Sequence, residues 1–218
     1  MRFFAALLIL TLSGCGMAVS DKPMLTAADT AGAPQFESGV WLMPDKGEEA
    51  GEPPCAVDVA QPVSSWPRCA GWALYQGGTW FERDGETGIA TKPVAASVEV
   101  AGGDIALVQI RFDDPDGDLP SEGTPPEPPA YFFAAFDHKP VDASARLRSV
   151  ELWIVMCGIE KPQAPGADDD APRELLRFAG FDEECRPDSV AALRAAAEKS
   201  RAPDTKLARL RWARATLD

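Results

Sequence analysis

The sequence predicts an α+β fold: an antiparallel β-sheet, shaped as a sandwich or partial barrel, followed by a C-terminal helical hairpin. Three observations carry this expectation. Segments with strand patterning dominate residues 39–157, some alternating with period two and others apolar on both parities. Short turn signals separate them, which favours antiparallel pairing. Beyond residue 187 the apolar spacing becomes that of a helix.

Each element follows from its residues. Gly39-Val-Trp-Leu-Met43 stops at Pro44, and Ala70-Gly-Trp-Ala-Leu-Tyr75 runs into Gly77-Gly78. Thr79-Trp-Phe-Glu-Arg83 meets Asp84-Gly85, a hairpin turn signal. Val94, Ala96, Val98 and Val100 share one parity and read as a half-buried strand. Ala101-Gly-Gly-Asp104 turns the chain into Ile105–Phe112, where Val108, Ile110 and Phe112 alternate with Gln109 and Arg111. Tyr131–Phe136 and Val150–Met156 are apolar on both parities, as central strands are. The proline-rich stretches 119–129 and 161–172 read as exposed loops. Asp188 or Ser189 caps a first helix through Val190, Leu193, Ala196 and Ala197 to Ser200. Pro203 and Asp204 open a second, with Leu207, Leu210, Trp212 and Leu217 as its apolar positions.

The chain has 218 residues, 45% of them hydrophobic, so it can bury an ordinary globular core. Twenty-one Lys and Arg stand against thirty-four Asp and Glu, a net charge of −13 that argues against nucleic acid as a partner. The charge is uneven: residues 186–218 carry +4, whereas residues 16–185 carry −18. The C-terminal cations either meet an anionic surface, face water or pair with the acidic body. With a single histidine, His138 in a polar turn, most histidine-based catalysis is excluded. Motifs for a serine nucleophile, a phosphate loop and a zinc protease are all absent.

Residues 1–15, MRFFAALLILTLSGC, place Arg2 before a ten-residue apolar run, Phe3 to Leu12. The run is too short to span a bilayer and has the flanks of a secretory signal. Its end, Leu12-Ser13-Gly14-Cys15, resembles the lipobox of bacterial lipoproteins. In that family the signal is cut just before the cysteine, whose sulfur and new amino group are then acylated. The resemblance implies a signal peptide over 1–14, palmitate-type lipid on Cys15 and a place in the cell envelope. Gly16 rather than Asp after the cysteine points to the outer membrane, facing the periplasm. Residues 15–35 then read as the lipidated cysteine and a flexible tether of about 25 Å root-mean-square span. Residues 36–186 form the β-rich domain, and 187–218 the helices.

Removing Cys15 leaves Cys55, Cys69, Cys157 and Cys185, an even number suited to disulfides in an oxidising compartment. Four thiols permit three pairings. Local pairing, Cys55 with Cys69 and Cys157 with Cys185, is favoured because each bridge encloses one loop-rich segment. The spacings do not suit a zinc site. Gly39-Val-Trp41, Cys55-Ala-Val-Asp58 and Gln61-Pro-Val-Ser-Ser-Trp66-Pro-Arg-Cys69-Ala70 also resemble small uncharacterised lipoproteins of alphaproteobacteria. Cys157-Gly158, Cys185 and the alanine-rich helix belong to the same likeness. It implies no activity, only that the Cys55–Cys69 loop with Trp66-Pro67 is a framework feature.

Two further groups invite a binding role. Asp114, Asp116 and Asp118 alternate like calcium ligands, but the positions where an EF-hand needs glycine and glutamate hold Leu119 and Pro125. A tight turn accounts for Pro-Asp-Gly there equally well. Trp66, Trp72 and Trp80 either form a stacking platform for a glycan or belong to the core. The expectation is therefore a lipid-anchored binding or assembly component that is not an enzyme, uses no cofactor and meets an envelope protein or glycan. The alternatives are a glycan hydrolase built on two carboxylates about 5–9 Å apart, or an acidic inhibitor of a cationic lytic enzyme.

Overall fold

A computed structural model describes residues 16–43, 55–67, 69–83, 90–95, 97–112, 129–137, 146–161, 175–202 and 206–218. The protein is mostly β. Its main strands are β1 (Val19–Ser20), β2 (Gly39–Met43), β3 (Gly71–Gln76), β4 (Thr79–Arg83), β5 (Ala90–Pro93), β6 (Ser97–Ala101), β7 (Ile105–Phe112), β8 (Ala130–Asp137) and β9 (Ser149–Ile154). A small separate ribbon pairs β10 (Gly158–Glu160) with β11 (Leu175–Arg177). A short helix α1 (Ala27–Thr30) follows β1, and helix α2 (Val190–Lys199) precedes the last strand, β12 (Lys206–Arg214).

The main sheet runs β5-β4-β3-β2-β12-β9-β8-β7-β6, with β1 added beside β8. All of its pairings are antiparallel. Two local meanders, β2–β5 and β6–β9, are therefore joined through β12, which bonds β2 on one side and β9 on the other. The sheet curls until β4 approaches β6, giving a nearly closed, barrel-like body.

Register decides what fills it. Directly paired residues share a face, so Trp41, Ala73, Tyr75 and Trp80 lie on the same side as Leu210, Val150, Phe136, Ala106 and Val108. These are the inward positions. Phe36, which bridges to Leu147 ahead of β2, adds its ring to them. It meets Trp41, Tyr75 and Trp80 edge-on at centroid distances of 5.6, 5.5 and 5.3 Å, and Phe136 at 6.0 Å. The body is thus filled by aromatic side chains at the end where β2 begins and β8 finishes.

The outward side is covered twice. Over β6–β9, the outward residues Leu107, Phe133, Ala135 and Trp153 are buried. There α2 contributes Leu193, Ala196 and Ala197, all fully buried, and the Trp153 indole donates to the Ala197 carbonyl at 2.9 Å. Ser189 caps α2 as its sequence suggests, accepting from Ala192 N at 3.2 Å, and Ser200 ends it. Over β2 and β3, the outward Val40, Leu42 and Trp72 pack beneath Val63 and Trp66 of the Cys55–Cys69 segment and Ala70 just after it, with Leu217 alongside.

Three sequence expectations are corrected. The C-terminal helical hairpin is not formed: α2 is one helix, and residues 206–214 are a central strand. Their sequence alternates, with buried Leu210 and half-buried Trp212 on one parity and exposed Arg209 and Arg211 on the other. Two open strand edges, β2 and β9, make the extended form the one that satisfies the backbone on both sides. The flexible tether over 15–35 is also overturned for residues 16–35. Ala18 and Leu25 are buried, β1 pairs with β8, and the Gln109 carboxamide accepts from Met24 N and Leu25 N at 2.7 and 3.1 Å. Small residues there reflect close contact with the sheet rather than freedom. Val94, expected to begin a strand, lies between β5 and β6 and is 44% exposed.

The outer helix is structural by this account. Leu193→Ala, measured by urea unfolding, is expected to cost about 2–5 kcal/mol, the range for a buried leucine that leaves a cavity.

Candidate functional site

The three tryptophans considered as a ligand platform are all buried: Trp66, Trp72 and Trp80 expose 5%, 2% and 9% of their surface. They also belong to different layers. Trp80 lies inside the barrel, tilted against Tyr75 at 4.9 Å and edge-on to Trp41 at 5.5 Å. Trp66 and Trp72 lie outside, in the cover over β2 and β3. A stacking platform needs a ring face open to solvent, so these residues are core, and the glycan-platform expectation is set aside. The polar tips of several indoles tie loops to the sheet: Trp66 donates to the Gln61 carbonyl, Trp41 to Glu37 and Trp212 to Ser38 at 3.0, 2.9 and 3.0 Å. Trp72 Nε1 is buried without a hydrogen-bond partner.

The four cysteines form the two local disulfides. Cys55–Cys69 closes the loop that carries the 3-10 turn Val63–Ser65 and Trp66. Cys157–Cys185 joins the start of the β10–β11 ribbon to the segment before α2, with Cα atoms 5.3 Å apart. Cys185 adopts a left-handed backbone conformation, φ 63°, uncommon for a residue with a Cβ. Cys15, His138, Asp114, Asp116, Asp118 and the acidic run 168–170 lie outside the described residues.

Sequence reasoning missed a buried polar group. Gln109 points outward from β7, is 1% exposed, and bonds through both the oxygen and the nitrogen of its carboxamide. Its oxygen takes the two N-terminal amides, and its nitrogen donates to Glu99 Oε2 at 2.6 Å. One polar residue between the apolar run Ile105–Val108 and Ile110 is the signal in the sequence: a glutamine buried there has to bond something. Beside it lies a cleft of about 310 Å³ lined by Leu25, Thr26, Ala27, Thr30, Glu99 and Val100. At its edge Thr26 holds the Asp29 carboxylate by side-chain and backbone hydrogen bonds, which lower its pKa from the ordinary 3.8.

A second cleft, about 610 Å³, runs between Ser20–Lys22 and the loop Gly180–Asp188. Asp21, Asp182 and Asp188 line it together with Lys22 and Arg186. Two of these carboxylates hold the loop itself. Asp182 accepts from Glu184 N and Arg186 N at 3.0 and 2.8 Å, and Asp188 accepts from the Ser189 hydroxyl at 2.7 Å. Among the described residues no group of three or more His, Cys, Asp or Glu is placed to hold a metal ion. The basic C-terminal segment is largely spent within the molecule. Arg209 pairs with Glu151 at 3.5 Å, Arg201 with Asp137, and Arg194 donates to the Ile105 carbonyl at 3.3 Å.

These features define a class by architecture: a mostly-β, barrel-like body filled by aromatic side chains, with two disulfides fastening irregular segments beside the sheet. Compared with known protein families, curated proteins and solved structures, the chain matches none.

Two predictions concern this region. Burial within the aromatic cluster raises the Tyr75 phenol above its ordinary 10.0, against a smaller opposing pull from Arg146. A raised folded-state pKa favours the neutral phenol, so its contribution is complete below the unfolded value and is lost as pH rises through the folded one. Tyr75→Phe is therefore expected to flatten the fall of stability above about pH 10, read by urea midpoints across an alkaline series. Replacing both Cys55 and Cys69 with Ser, a separation of 14 residues, is expected to lower unfolding free energy by roughly 3 kcal/mol.

Proposed function

We propose that the protein is a lipid-anchored lipoprotein of the bacterial cell envelope, placed at the outer membrane and facing the periplasm, where it serves as a non-enzymatic binding or assembly component. The observation that carries this reading is the ten-residue apolar run ending in Leu12-Ser13-Gly14-Cys15. Two or three acyl chains at one cysteine give stable attachment, because each buried methylene adds about 0.8 kcal/mol. The two disulfides support an oxidising location outside the cytoplasm. A binding role is favoured over hydrolysis because the inward positions are packed with side chains, and of the cleft carboxylates Asp182 is engaged by two backbone amides and Asp188 by the Ser189 hydroxyl.

Labelling of growing cells with radioactive palmitate tests the anchor. The wild-type chain is expected to take up label and sediment with membranes, and Cys15→Ala to lose both properties. Label retained by Cys15→Ala overturns the reading.

A further inference from the structure

Gly16, the residue that follows the acceptor cysteine, is fixed to the body. Its carbonyl accepts from Cys157 N at 2.5 Å. Ala18 N donates to the Val155 carbonyl at 2.8 Å, and Val19 N to that of Cys185 at 3.1 Å. Gly16 has φ 62°, and a Cβ there would meet Leu175 Cδ1 at 2.9 Å. Consecutive Cα atoms are about 3.8 Å apart, so a lipid on Cys15 would be attached one residue from Gly16, a point fixed beside the β10–β11 ribbon.

That ribbon has two unlike faces. Leu175 packs toward Gly16, whereas Ile159 and Leu176, paired directly across the strands, share the opposite face. They are 55% and 44% exposed, and are two of the four large apolar side chains exposed among the described residues. Glu160, Lys161 and Arg177 nearby are of mixed sign, so the ribbon has no charge bias toward an anionic surface.

We propose that the β10–β11 ribbon is a membrane-seating surface, with Ile159 and Leu176 entering the interface of the bilayer that holds the lipid. It rests on the lipid-anchor reading. The exposed pair is too small to bind a bilayer alone, but at an anchored chain it faces lipid at very high local concentration. Its effect is to fix orientation: the body lies against the membrane by this edge instead of swinging on a leash. The contact is apolar, so it persists when salt is raised.

The test uses the full chain matured in bacterial membranes, with acylation of Cys15 checked by mass. It is reconstituted into phosphatidylethanolamine–phosphatidylglycerol vesicles carrying brominated acyl chains. Ile159→Trp and, as an independent site, Leu176→Trp are compared with Val94→Trp, an exposed position between β5 and β6, outside the ribbon. Both ribbon variants are expected to gain bromine quenching at least about twofold over Val94→Trp, since an interfacial indole lies within reach of the acyl chains. Equal quenching at all three positions in acylated, vesicle-bound protein overturns the seating surface while the anchor stands. A mass showing no acyl group at Cys15 overturns the anchor and the seating surface together.

Discussion

One strand holds the molecule together. The β2–β5 and β6–β9 meanders are each built from neighbours in sequence, and β12 supplies the hydrogen bonds that join β2 to β9. Remove it, and two half-sheets would each expose a central edge. With it in place, curvature brings the rings of Trp41 and Trp80 from one half within reach of Phe136 from the other, and Phe36 fills the space between them. The aromatic interior is therefore a product of closure, and a body so filled offers surface rather than an interior cavity.

The coverings explain why several strands are apolar on both parities. β8 buries Phe136 inward and Phe133 and Ala135 outward, the latter under α2 and the N-terminal segment. On the other half, the Cys55–Cys69 loop performs the same task over Val40 and Trp72. Each disulfide thus fastens irregular chain beside the sheet: one holds a cover in place, and the other ties the β10–β11 ribbon to the approach to α2. Irregular chain offers few backbone bonds of its own, and a covalent link offsets that shortage.

Local pattern made the central strands legible. Val108, Ile110 and Phe112 alternate cleanly, Gly39–Met43 is the strand as observed, and the two local cysteine pairs agree with the pairing favoured from spacing. The C-terminal segment is ambiguous in sequence, because Leu207 and Leu210 fit a helical interval while Ala208, Leu210 and Trp212 fit alternation equally well. Only the presence of two waiting edges, a property of the whole fold, separates those readings. Residues 16–35 failed for another reason. Their order comes from contact with Gln109, β8 and the Cys157–Cys185 bridge, and such contacts impose no periodicity on the segment that receives them. The tryptophans at 66, 72 and 80 could be read either as core or as platform, since burial is not written in spacing.

Because β12 follows in chain order every strand that it joins, assembly has a direction. As the polypeptide emerges from N- to C-terminus, hairpins form early, yet the partner that unites them arrives only after α2. Until then the β2 and β9 edges are open templates for stray pairing, the condition under which β-proteins aggregate. Final compaction thus waits for late residues, and premature arrest of synthesis would leave two sticky halves in place of one shorter protein.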